Sequence, residues 1–328
     1  MVFILLAVVG ERHWLPALWL YLPQQGWLLP LAVLTPLCLL FCRKWCWWHL
    51  AAVLWVLAVH MDFRWSSSET PSGDALSVLT SNIGQRKTRT LWPFMKSEQF
   101  DILALQEAWR HERAMSRENP GFFAAGMGEF VLVSRYEIKN SGFVPELWGK
   151  SGPAGAWFEV DYQGTPIVVY NIHLPTPRPD FERLRGAGFL AELSRGGGIY
   201  SKEVRQRFQQ SMDERAELLR KLRERLDKED RPFFVLGDFN IPSGGYLHGL
   251  LADKYTDAFA EKGRGYGWTF PGQTRNPLSL FGPWLRIDYI FSSVDWQTLD
   301  CVVEPRQPAQ HRAVAAKFVL RKPSGSPE

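Results

Sequence analysis

The chain after residue 75 reads as an α/β layered domain, and the residues before it read as an apolar helical region. Three observations carry this: short apolar runs that recur along the chain, one long stretch whose apolar positions step by three and four, and a change of composition near residue 66. Short runs bounded by turn residues are strands, and strands alternating with helical patterns build layered sheets.

Residues Met1 to Trp65 are dominated by Leu, Val, Ala and Trp. Trp27 to Cys42 and Trp45 to Met61 are two apolar runs separated by Arg43-Lys44, with Pro30 and Pro36 inside the first. Each is slightly shorter than the ~20 residues that a spanning helix needs. Trp45, Trp47 and Trp48 beside the two cations suit a headgroup interface, so a membrane hairpin is the economical reading. Met1 to Gly10, which lacks the basic leader and cleavage site of a signal peptide, joins Trp14 to Leu22 as a third helix. A buried helical subdomain would instead show a polar face at period 3.6, and almost none is present. Basic loops stay cytoplasmic, so Arg43-Lys44 places the chain from about Ser66 onward outside the cytoplasm, at a bacterial-type inner membrane. The expected division is an integral-membrane anchor at 1–65, a flexible linker at 66–75, the main domain at 76–320 and a tail at 321–328.

In the main domain the spacing predicts strands at Leu76 to Thr80, Ile102 to Leu105, Phe130 to Val133, Ala156 to Val160, Ile167 to Tyr170, Phe233 to Leu236, Ile287 to Phe291 and Ala313 to Leu320. It predicts a helix from Lys202 to about Leu226, buried along Val204, Phe208, Met212, Ala216, Leu219, Leu222 and Leu226, with a solvated charged face. The Gly-rich segment Arg178 to Tyr200 reads as a mobile loop. The 38 Lys+Arg against 34 Asp+Glu give +4, and setting aside the four cations and three anions that precede Asp74 leaves +3, too little to argue nucleic-acid binding from bulk charge. Cys38, Cys42 and Cys46 lie in the apolar region and Cys301 is alone, so the main domain holds no disulfide, and no pattern completes a zinc site.

The chemistry gathers at strand ends. Val235-Leu236-Gly237-Asp238-Phe239-Asn240 delivers an Asp and an Asn at i and i+2, which face the same side of an extended segment. Alone, Asp-x-Asn is only a turn signal. Three similar ends accompany it, at Gln106-Glu107, Asn171-Ile172-His173 and Arg286-Ile287-Asp288-Tyr289, and Gln310-His311 opens the last strand.

In this order the motifs resemble the endonuclease/exonuclease/phosphatase superfamily, the DNase I-like enzymes, over roughly Leu76 to Leu320. Asn82, Glu107, Asn171, His173, Asp238, Asn240, Asp288 and His311 stand at the matching positions. The resemblance implies two packed β-sheets flanked by helices, a four-layer sandwich. It implies Glu107 and Asn82 as ligands of Mg²⁺, or of Mn²⁺, which take oxygen donors. Asp238 would orient or deprotonate the attacking water, Asn240 would donate to the phosphate, and His311, held by Asp288, would bind a nonbridging oxygen. Asn171 and His173 would add phosphate contacts. His13, His49, His60, His111 and His248 match nothing and read as structural.

The implied activity is that of a membrane-tethered, metal-dependent phosphodiesterase, with phospholipid headgroups or nucleic acid as substrate and the bilayer as partner. Trp268, Phe270, Phe281, Trp284 and Leu285 offer an apolar rim for lipid or bases, or ordinary core packing. One departure stands out: the family usually has Asp where this chain has Gln310. A weakened, phosphate-binding module of the same fold is therefore the alternative.

Overall fold

The computed structural model describes residues 2–67, 69, 75–84, 91–150, 152–272, 282–305 and 310–321. Phe281, most of the expected linker and the tail from 322 lie outside the described residues.

Two six-stranded mixed sheets pack face to face. In one the order is Thr256–Asp257, Asp288–Ser292, Phe233–Asp238, Thr165–His173, Gly155–Tyr162 and Ile138–Phe143. In the other it is Trp296–Val303, Val314–Leu320, Leu76–Asn82, Ile102–Gln106, Phe130–Ser134 and Phe123–Met127. Phe158, Phe234, Trp296 and Phe318 fill the space between them, with the Phe234 ring 4.6 Å from Trp296 and 4.7 Å from Phe318. The strands read from sequence are all present, most of them slightly longer, while the expected Ile287–Phe291 is shifted by one to Asp288–Ser292 and the last begins one residue later at Val314; helices cover the outer faces.

The helix Lys202–Leu226 begins where Ser201 caps it, its hydroxyl accepting the Val204 N–H at 3.3 Å. Phe208, Met212, Ala216, Leu219, Leu222 and Leu226 are buried as the periodicity requires. The Gly-rich segment is not the expected loop. It forms the helices Arg178–Arg185 and Phe189–Arg195, and the ring of Phe181 seats 5.2 Å from that of Phe208.

The apolar region divides by packing. Leu6, Ala17, Leu18, Leu20 and Tyr21 are buried against the main domain in one cluster with Phe208, Met212, Trp284 and Ile287. The carboxylate of Glu11 accepts the backbone N–H of Leu247 at 3.2 Å, and the Arg12 guanidinium lies 3.9 Å over the Tyr246 ring. The helix Trp14–Tyr21 is therefore built into the domain. By contrast, Leu28–Phe41 and Cys46–Trp55, the second extended by a π-helical turn through His60, bury no residue. Among the described residues Gln24–Phe41 is the one helix long and apolar enough to cross a membrane.

Nor does the described part of the linker hang free. Arg64–Trp65 pairs antiparallel with Arg264–Gly265, Ser66 donates its hydroxyl to the Gly263 carbonyl at 2.5 Å, and Glu69 meets Lys262 at 2.5 Å. Asp62 reaches the fully buried Arg286 at 3.3 Å, and Arg286 also meets Asp257 at 2.6 Å.

Candidate active site

Topology brings the strand ends together. The parallel pairing of Thr165–His173 with Phe233–Asp238 sets His173 opposite Asp238, and the antiparallel pairing with Asp288–Ser292 sets Asp238 opposite Asp288. Gly237 makes the first pairing possible: with φ +131°, a Cβ there would stand 2.0 Å from the Ile172 carbonyl oxygen. Asn82 and Glu107 arrive from the facing sheet. Glu107 and Asn240 both take left-handed backbone at φ +52°, uncommon for residues with side chains and concentrated at functional sites.

Asp238 is the hub, buried at 1% exposure. Its Oδ1 accepts the Asn240 N–H at 2.9 Å, the Asx turn that the sequence signals, so Asn240 reaches the cleft through a turn and not through an extended i, i+2 geometry. The Asn240 amide then donates to the Leu174 carbonyl at 3.0 Å. Asp238 Oδ2 accepts from Asn82 at 3.0 Å, and the same Asn82 amide nitrogen donates to Glu107 at 3.2 Å.

Two imidazoles flank Asp238, and a second carboxylate holds each. His173 Nδ1 lies 3.1 Å from Glu129 with Nε2 3.6 Å from Asp238 Oδ2. His311 Nδ1 lies 3.0 Å from Asp288 with Nε2 3.7 Å from the same Oδ2. The two Nε2 separations are too long for direct hydrogen bonds, so these atoms point into a shared space. Burial opposes charge on both rings. The Glu129 hydrogen bond with the charge of Asp238 outweighs it at His173, and the charges of Asp288 and Asp238 do so at His311, pushing each up to about 9. Burial raises Asp238 itself above the usual carboxylate range, with the His311 charge opposing the rise.

Asn82, Glu107, Glu129, His173, Asp238, Asn240 and His311 line a cleft of about 760 Å³. Gln310 lines it too, where the matching acid would stand. Asp288 does not line it but holds His311 from behind. Asn171 is not brought to the cleft: fully buried, it accepts from Gln106 at 2.6 Å and donates to the Leu105 carbonyl at 3.0 Å, tying the two sheets beneath the site. Trp284 and Leu285 are buried against the N-terminal helix rather than forming an open rim, Trp268 stacks on Tyr266 at 4.4 Å, and Phe270 lies 4.9 Å from His311. Glu129 is a site residue that sequence reasoning missed.

The donor chemistry fits a hard divalent cation. Four carboxyl groups, Glu107, Glu129, Asp238 and Asp288, stand against two imidazoles, and Glu107 offers its oxygens to the cleft. Asp238, Asp288 and His311 place ligand-type atoms within 4.8 Å of one another. That trio is the poorer seat, because an imidazolium clamped between two carboxylates keeps no lone pair for a metal. Asn82 spends its amide nitrogen on Glu107 and Asp238 and its oxygen on the Gly84 N–H at 2.9 Å, so here it positions the Glu107 carboxylate.

Two stacked sheets whose strand ends converge on carboxylates and histidines define the phosphoesterase-type sandwich. The chain belongs to the Endonuclease/Exonuclease/phosphatase family, whose model matches residues 79–313. No curated protein sequence matches it significantly. Among solved structures, it is similar to an endonuclease/exonuclease/phosphatase from Bacteroides vulgatus at 17% identity, covering 76% of this chain and 100% of that one with a TM-score of 0.53. A mannosyl-6-phosphatase of Bacteroides thetaiotaomicron matches at 17% identity over 75% and 100% of the two chains, TM-score 0.51. A 3′ phosphatase from Neisseria bound to a product DNA hairpin matches at 17% over 74% and 99%, TM-score 0.51. At such identities the likeness shows the fold alone.

Proposed function

We propose that the protein is a membrane-tethered, divalent-metal-dependent phosphodiesterase, with Arg43-Lys44 in the cytoplasm and the main domain outside. One observation carries the reaction: a buried Asp238 flanked by two imidazoles, each clamped by its own carboxylate, beside Glu107 in one cleft. Ester hydrolysis at phosphorus needs charge neutralised on the phosphoryl oxygens and a water held in line. A divalent cation held by Glu107, with Asn82 behind it, would supply part of that neutralisation.

Asp238 orients the attacking water and accepts its proton. Burial favours that step, because it makes the carboxylate a stronger base than one in water. His173 and His311 point their Nε2 atoms into the same space, where they bind nonbridging oxygens and stabilise the charge that develops there. Asn240 keeps a second amide N–H for the phosphate. Two of the similar structures are named as phosphatases, a mannosyl-6-phosphatase and a 3′ phosphatase bound to a product DNA hairpin, which supports phosphate-ester hydrolysis in general; the choice of a diester is part of the proposal.

Titrating Mg²⁺ and Mn²⁺ into the purified protein while following hydrolysis of a generic phosphodiester tests the reading. Saturable, metal-dependent turnover that disappears when Glu107, Asp238 and His311 are all replaced by Ala is the expected result. Metal-independent turnover, or an unimpaired triple variant, overturns it. Metal and phosphate binding without turnover would favour a binding module weakened at Gln310.

A further inference from the structure

We propose that the substrate is a phosphate ester carrying an aliphatic chain, an amphiphile drawn from the membrane, and that the N-terminal helix Trp14–Tyr21 builds the wall along which that chain lies. This rests on the phosphodiesterase reading above. Besides its polar groups, the cleft is lined by Leu18, Tyr21, Leu22, Pro23, Phe181 and Trp284. The polar atoms of the two large aromatics there are already spent. The Tyr21 hydroxyl donates to the Asn240 carbonyl at 2.9 Å, and the Trp284 indole N–H donates to the Tyr21 carbonyl at 3.2 Å. What both present to the cleft is carbon.

The same Tyr21 bond ties this wall to the catalytic loop, so the phosphate-binding groups and the apolar wall are fixed relative to each other. Leu22 is 38% exposed, an apolar side chain open to whatever enters. Pro23 is the last lining residue of this segment, and Gln24 opens the helix long and apolar enough to cross a membrane. On the membrane-tethered reading, the wall thus ends one residue before the spanning helix begins. It belongs to this chain and not to the shared core, because residues 18–23 lie outside the matched span 79–313. A polynucleotide would need cations tracking successive phosphates. Arg178 and Arg185 line the cleft from the neighbouring helix, but the lining residues of the N-terminal segment, Leu18, Tyr21, Leu22 and Pro23, bring no cation.

The test uses the full chain in nanodiscs with Mg²⁺, comparing p-nitrophenyl methyl phosphate with p-nitrophenyl octyl phosphate below its micelle concentration, and single-stranded DNA as a third arm. The octyl ester should show a KM lower by about 10-fold or more, since each methylene removed from water adds favourable transfer free energy. Leu22→Asp, at an exposed position that tolerates a polar side chain, should erase the difference between the two esters. Equal KM values for the two esters, an undiminished chain-length preference in the variant, or a higher kcat/KM on DNA than on the octyl ester would each overturn the proposal while leaving the phosphodiesterase reading standing. Absence of metal-dependent hydrolysis of either ester would overturn that reading, and this inference with it.

Discussion

Replacing Glu11 by Gln tests whether the N-terminal segment is part of the domain that carries the site. Glu11 is 2% exposed, and burial pushes its carboxyl up to about 7, against which the backbone N–H of Leu247 offers partial relief. The folded value lies above the unfolded one, so between these values the folded chain binds more protons, and stability falls as pH rises through about 7. From 4.5 to about 7 the rise, at ~1.36 kcal/mol per pH unit, corresponds to a loss of at most about 3 kcal/mol. Gln carries no charge and escapes this loss. Unfolding by urea at pH 4 and pH 8.5 should therefore show Glu11→Gln gaining on the parent by up to about 3 kcal/mol at the higher pH. A difference between parent and variant that is the same at both pH values would refute the docking, because a carboxyl open to water titrates alike in both states.

Three further outcomes follow from the same contacts. Arg286→Met should cost about 3 to 5 kcal/mol in urea unfolding, since it strips the guanidinium from the buried Asp257, which keeps only His248 at 3.0 Å and the Phe259 and Ala260 N–H groups; a cost under about 1 kcal/mol would contradict the network. Gln310→Asp should tighten Mg²⁺ binding or raise kcat by about 10- to 100-fold, the range of supporting groups around metal sites, and lower activity in the variant would mean that the cleft is built around the amide. Protease added to intact spheroplasts should digest the main domain, and protection until lysis would reverse the proposed orientation.

The strands that carry the site were legible because they are buried on both faces and therefore read as continuous apolar runs, as in Phe233 to Leu236. Phe123–Met127, whose middle is Ala-Ala-Gly, and Trp296–Val303, which mixes Gln297 and Asp300 into an exposed-edge pattern, gave no such signal. Local motifs likewise revealed Asp238, Asp288 and His311. Glu129 was invisible because it sits in the turn before Phe130, 44 residues from the His173 it holds, and only sheet topology joins them.

The N-terminal helix misled for a physical reason. Trp14–Tyr21 buries Ala17, Leu18, Leu20 and Tyr21 yet leaves Leu15 and Trp19 exposed, so it is apolar on every side, and composition alone does not separate a helix covered by protein from one covered by lipid. Asn171 had the opposite fate. Its motif is intact, but its amide serves the contact between sheets.

Whether Asp238 drives water onto a phosphodiester in this cleft is decided by Asp238→Asn measured two ways on one preparation: kcat on a soluble p-nitrophenyl phosphodiester with saturating Mg²⁺, and the Kd of a non-hydrolysable phosphonate analogue. The amide keeps the size of the side chain and an oxygen for the Asn240 N–H while removing the base. The variant's kcat should fall by about 10²- to 10⁴-fold with phosphonate binding held within about 10-fold. A kcat within about 3-fold of the parent, with binding intact, would contradict it.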